Sequence, residues 1–129
     1  MTDLELVNLA RQAMNSAYAP YSGLCVGAAV LSSDNEVYTG CNIENASYGA
    51  TICAERVAIG KCVSDGSRWI TKIAICSSSG EKTFPCGICR QVLSEFMQED
   101  GEVLLGTSDG DFYTYTLAEL LPYAFELEK

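Results

Sequence analysis

Three cysteines carry the chemistry open to this chain: Cys53 in Cys53-Ala54-Glu55, and Cys86 and Cys89 in Pro85-Cys86-Gly87-Ile88-Cys89. The chain has seven cysteines and no histidine. A nucleophile activated by an imidazole is therefore excluded, and a transition-metal site has to rest mainly on thiolates. Cys86 and Cys89 stand three apart at the start of a predicted helix, so both thiolates can face one ion. Cys53 opens a second predicted helix. Two helix N-termini aimed at one site favour anionic ligands by about 0.3–1 kcal/mol each, and their free N–H groups help to keep the thiols deprotonated. The pattern reads as zinc on three thiolates, with an open fourth position and an acid/base, Glu55, beside it.

A lone Cys-x-x-Cys is equally compatible with a redox-active pair or an incidental one. Cys53, with Glu55 two residues on, favours zinc. A structural zinc needs four protein ligands, and the spare cysteines are Cys25, Cys41, Cys62 and Cys76. Cys62 lies about 13.5 Å along its helix from Cys53, on the far face. Cys25, Cys41 and Cys76 border apolar strands and read as small buried hydrophobes. Glu55 is turned about 200° around the helix from Cys53, so it is not expected as the fourth ligand. Three thiolates leave a zinc site with net negative charge. Arg56 is the expected compensating cation, hydrogen-bonded to a thiolate.

The elements that must position these residues are legible in the pattern. Thr2-Asp3-Leu4-Glu5 is a capping box, and apolar residues then recur at helical spacing until the chain nears Pro20. Residues 26–31 are continuously apolar and read as a buried strand, turned at 33–36 into a hairpin partner at 37–39. Residues 41–50 show no period and read as a loop. Residues 52–62 are helical in pattern, 69–76 alternate as a strand, and a helix follows Pro85 to about Met97. Short strands are expected at 102–106 and 112–115, around Asp109-Gly110. Thr116-Leu117-Ala118-Glu119 is a second capping box opening a last short helix. Five strands with interleaved helices predict an α/β layered domain with a mixed sheet.

The whole chain, 129 residues, 48% hydrophobic and 19% charged, has room for one core and reads as one domain, 1–129. Its formal charge is −9. Such a surface repels phosphate backbones and anionic membranes, which argues against a nucleic-acid or membrane partner. The opening residues are acidic and helical rather than a basic-then-apolar leader. No apolar run approaches the roughly 20 residues of a membrane span. An odd number of cysteines without such a leader fits free thiols, and the expected location is the reducing cytoplasm.

These residues resemble the zinc-dependent cytidine deaminases. Cys53-Ala54-Glu55-Arg56 and Pro85-Cys86-Gly87-Ile88-Cys89-Arg90-Gln91 carry the likeness, a zinc-deaminase signature of known mechanics. Tyr21-Ser22, Val26-Gly27-Ala28-Ala29, Asn42 to Tyr48 and Leu120 to Phe125 extend it, in order, over nearly the whole chain. Cys at the first ligand position points to the small three-cysteine class. The resemblance implies a three-layer α/β/α sandwich with a mixed five-stranded sheet, one zinc per subunit, and a homotetramer with sites shared between subunits.

It further implies hydrolytic deamination of cytidine and 2′-deoxycytidine, a step of pyrimidine salvage. Zinc-bound hydroxide would attack C4 and Glu55 would shuttle protons. Asn42 and Glu44, by themselves only loop polars, would hold the ribose 3′-hydroxyl, a pairing that suits a neutral sugar. Phe125 would stack on the base from a neighbouring subunit. Ala46 and Tyr48 would also reach across the boundary, and the Ala54 N–H would bind the base carbonyl. The family usually has Phe where this chain has Leu24. That departure keeps deamination of a nucleoside analogue as an alternative. A zinc-stabilised binding module without catalysis is a third reading, and it requires a closed four-ligand site.

Overall fold

A computed structural model describes residues 1–129. Helix α1 (Asp3–Ala13) starts as its capping box predicts: Thr2 Oγ1 accepts the Glu5 N–H, and the Glu5 carboxylate accepts the Thr2 N–H. Regular helix stops earlier than the apolar spacing suggests and tightens into a 3₁₀ turn, Met14–Ser16. Asn15 and Ser16 are weak helix formers that favour local hydrogen bonds, and Tyr18 is drawn into a bridge with Ile43.

Strands β1 (Val26–Ser32) and β2 (Val37–Cys41) form the expected antiparallel hairpin. Helix α2 (Ala54–Ser64), strand β3 (Ile70–Ser77), helix α3 (Gly87–Phe96), strand β4 (Met97–Gly106), strand β5 (Phe112–Thr116) and helix α4 (Leu117–Leu120) follow. The sheet order is β2-β1-β3-β4-β5. Only β3 and β4 run parallel, joined by the α3 crossover; the other pairs are antiparallel. This is the expected mixed five-stranded sheet. β4 begins well before residue 102, at the buried Met97; the exposed polar residues 98–100 that follow give no strand signal, and the ladder with β3 jumps from Ile70–Met97 to Lys72–Glu102.

Alternation along the strands builds two cores. Ile73 and Ile75 of β3 join Ala28, Val30, Val103 and Leu105 under α2, α3 and α4, whereas Ala74 and Cys76 join Ala29 and Leu104 under Leu6, Val7 and Ala10 of α1. The result is the α/β/α sandwich. Each fully buried Ile or Leu contributes about 1.5–3 kcal/mol. The α2–α3 face has the larger cluster, 15 residues against seven, so the helices bearing Cys53, Cys86 and Cys89 are well anchored. No helix is long and apolar enough to cross a membrane.

One glycine sets where Cys53 stands. A Cβ added at Gly40 in β2 would lie 2.6 Å from both Ala54 O and Ala58 N, in the first turns of α2. Only the missing side chain lets the start of α2 rest on the sheet at that depth. Gly40→Ala should therefore destabilise the protein by about 1–3 kcal/mol, the usual cost of overpacking. Denaturant melts check this; an unchanged midpoint would show that α2 can retreat without loss.

Candidate metal centre and active site

Cys53 and Cys86 occupy equivalent places. Each is the N-cap of its helix, α2 or α3, with extended backbone, and neither helix start has a side-chain cap hydrogen bond. The orphan N–H groups and positive ends of two helices therefore lie beside the thiols. Cys89 is the third residue of α3, on the same side as its cap. The three Sγ atoms lie within 4.8 Å of one another, with Cys53 Sγ 3.8 Å from Cys86 Sγ. Tetrahedral Zn–S bonds of about 2.3 Å place sulfurs about 3.8 Å apart. The donor set thus fits one zinc ion. Neither Glu55 nor a fourth cysteine belongs to the group, so it offers three protein ligands, the number of a catalytic rather than a structural site.

The spare cysteines stay outside. Cys62 and Cys76 are buried as expected, but Cys25 and Cys41 are only half-buried. Cys41 ends the edge strand β2, and Cys25 lies just before β1 at the end of the sheet, beyond the strands that cover the core.

Charge around the cluster is organised by Arg56 and Glu55. Arg56 Nη2 donates to Cys53 Sγ at 3.5 Å, the bond expected of it, while its buried Nε has no partner within the chain. The Cys53 thiol is brought down to about 5, first by a hydrogen bond from Cys89 and then by Arg56 and Cys86. The same bond to Cys53, followed by burial, holds the Cys89 thiol well above its ordinary range. The Cys53 bond in turn raises the Arg56 guanidinium further.

Glu55 is 4% exposed. Burial foremost, and then the Cys53 charge, raises its carboxyl above the usual range, against a hydrogen bond with Cys89 that lowers it. The turn of about 200° around α2 therefore does not send Glu55 into solvent. The side chain is buried instead, close enough to Cys89 of α3 for that thiol to act on its carboxyl.

The loop after β2 is stitched to the cysteine segment. Ile43 and Ile52 exchange both backbone hydrogen bonds at 2.9 Å, and Tyr18 and Glu44 add a further one at 2.8 Å. Asn42 and Glu44 are thereby fixed relative to Cys53, one residue beyond Ile52. Asn42 is 9% exposed; its Oδ1 accepts the Val26 N–H and its Nδ2 donates to Leu24 O, each at 2.8 Å. Glu44 borders a cleft of about 320 Å³ with Tyr21, Ser22, Asn45, Tyr48 and Thr51. Tyr48 and Ala46 are exposed. Ala54, the first residue of α2, is buried, and its N–H has no acceptor within the helix.

Phe125 stands apart from this grouping. It is 67% exposed, its carbonyl accepts Gln91 Nε2 at 3.3 Å, and it lines a wider groove of about 600 Å³ beside α3 and the C-terminal tail. That groove holds none of the cysteines, so size does not mark the chemistry here. Sequence reasoning missed the part played by Ser22, whose hydroxyl donates to Glu44. The signal available was the turn chemistry of Pro20-Tyr21-Ser22-Gly23.

Comparison with known proteins agrees with this geometry. The family described as "Cytidine and deoxycytidylate deaminase zinc-binding region" matches residues 1–106. A cytidine deaminase from Halalkalibacterium halodurans is 48% identical over 123 residues, covering 95% of this chain and 93% of that protein. The crystal structure of cytidine deaminase from Burkholderia pseudomallei superposes with a TM-score of 0.91 at 42% identity, covering 97% of this chain and 100% of that one. At lower identity, 30% over 131 residues, the chain is similar to a blasticidin-S deaminase from Bacillus cereus, covering 95% and 91% of the two. With three thiols grouped for one metal ion and likeness along almost its whole length, the chain belongs to the cytidine and deoxycytidylate deaminase zinc-binding family.

Proposed function

We propose that the chain is a single catalytic domain that deaminates cytidine and 2′-deoxycytidine hydrolytically to the uridines with release of ammonia. The observation that carries this is the buried Glu55 carboxyl set against a three-thiolate cluster at two helix N-termini. Cys53, Cys86 and Cys89 would hold the zinc, which when bound would supply Lewis acidity and lower the pKa of a water toward neutrality. Glu55 would accept a proton from the attacking water and deliver it to N3 of the base. It would then take the remaining proton of the hydroxyl added at C4 and pass it to the amine, so that the C–N bond breaks, the C4 carbonyl forms and ammonia leaves. A carboxyl whose proton affinity is raised by burial suits both directions of this transfer. Arg56 offsets the charge of the thiolates through Cys53.

Asn42 and Glu44 hold the sugar 3′-hydroxyl, and the Ala54 N–H binds the base carbonyl. Ala46, Tyr48 and Phe125 complete sites shared across subunits of a homotetramer. Support for that comes from their exposure on the single subunit: Tyr48 is 80% exposed and Phe125 stands away from the Glu44 cleft. The free thiols and acidic surface suit a cytoplasmic enzyme of pyrimidine nucleoside salvage.

A second reading, deamination of a nucleoside analogue, is favoured by the likeness to a blasticidin-S deaminase and by Leu24, which removes a flat face beside the substrate. Ammonia release and the ultraviolet change, followed with cytidine, deoxycytidine, dCMP and blasticidin S in parallel, separate the two. The main reading expects turnover of both nucleosides and little of dCMP. Turnover of blasticidin S alone would replace it with the second.

A further inference from the structure

Ser22 stands where the two candidate sugar ligands meet. Its hydroxyl donates to Glu44 Oε2 and accepts the Leu24 N–H, the latter at 3.0 Å. Glu44 Oε1 accepts the Tyr21 and Ser22 N–H groups at 2.9 and 3.1 Å. The Leu24 carbonyl then accepts Asn42 Nδ2, and Asn42 Oδ1 accepts the Val26 N–H at the start of β1. One continuous chain of hydrogen bonds thus runs from Glu44 through Ser22, Leu24 and Asn42 into the sheet. Gly23, at a φ of +72°, makes the reversal that lets Ser22 and Leu24 face each other.

A carboxylate on an exposed loop of a chain with net charge −9 would otherwise sample several rotamers. Three donors instead fix it, two of them from Ser22, and those two lead in holding its carboxyl below the usual range. We propose that Ser22 is a positioning residue for substrate binding: its hydroxyl aims the Glu44 carboxylate at the sugar 3′-hydroxyl and locks it in register with Asn42. This rests on the reading of Glu44 as a sugar ligand given above.

The test uses the zinc-loaded protein, with Ser22→Ala, Ser22→Thr, Glu44→Gln and the Ser22→Ala/Glu44→Gln pair, on cytidine and 3′-deoxycytidine. A positioning role in ground-state binding raises KM and spares kcat. Ser22→Ala should raise KM for cytidine about tenfold, the usual scale for losing a hydrogen bond to a charged group, with kcat within about twofold. Ser22→Thr, which keeps the hydroxyl, should recover most of the loss. Ser22→Ala should leave KM for 3′-deoxycytidine unchanged and add little to Glu44→Gln, as coupled residues do. Wild-type KM in Ser22→Ala, equal losses on both nucleosides, or full additivity with Glu44→Gln would overturn the role while leaving the deaminase intact. A wild type inert on cytidine would overturn the deaminase reading and this role together. Ser22 is exposed, so the substitutions do not open the core; should Ser22→Ala fail to fold, Ser22→Gly, which also removes the hydroxyl, carries the same comparisons.

Discussion

Glu55→Gln keeps its zinc and its fold and loses at least about 10²-fold in kcat, the scale of a placed general acid/base. The substitution preserves size and shape in a site that is 4% exposed, so no cavity opens. Metal content stays at one zinc per chain, because Glu55 is not among the grouped ligands. Stability holds or rises slightly, since burial no longer opposes a charge at this place. Only the proton transfers are lost. Metal analysis, a thermal melt and steady-state turnover on one preparation check all three. Loss of zinc in the variant would make Glu55 a ligand; near-normal turnover would remove it from the chemistry.

Cys86→Ala has the second large effect: zinc is lost and the melting temperature falls. Cys86 is exposed, so its side chain contributes little by burial. Its weight comes from joining α3 to α2, through an ion also held by Cys53, 33 residues away. Free energy of metal binding is folding free energy when the ligands come from separate elements. Each kcal/mol lost lowers the melting temperature by roughly 4 °C at this chain length. The cores on both faces of the sheet remain, so the variant is weakened rather than unfolded. Wild type stripped by a chelator should melt with Cys86→Ala, and Cys41→Ala, outside the cluster, should retain full zinc. A Cys86→Ala protein with normal zinc content would refute the ligand assignment.

Much of the fold is written locally. Both capping boxes form as Thr2-x-x-Glu5 and Thr116-x-x-Glu119 predict, and the apolar run of β1 and the alternation of β3 place them in the sheet. The grouping of Cys86 with Cys89 was legible because a helix start brings its cap and third residue together, whereas Cys53 joins them from the start of another helix. What spacing could not give was contact between elements. Glu55 finds its partner on α3, which no count along α2 predicts. Ser22 acts on Glu44 across 22 residues through hydrogen bonds that leave no hydrophobic period. The early start of β4 is hidden because Gln98, Glu99 and Asp100 are exposed polars lying where the ladder with β3 is irregular. The half-burial of Cys41 depends on its place on the edge strand β2, and strand order is not a local property.

The most direct test of the central claim is turnover of cytidine by protein carrying one zinc per chain, with Glu55→Gln at equal zinc content beside it. The account predicts ammonia and uridine in equal amounts from the wild type and a rate at least about 10²-fold lower from the variant. No ammonia from the zinc-loaded wild type, or equal rates from the two proteins, would contradict it.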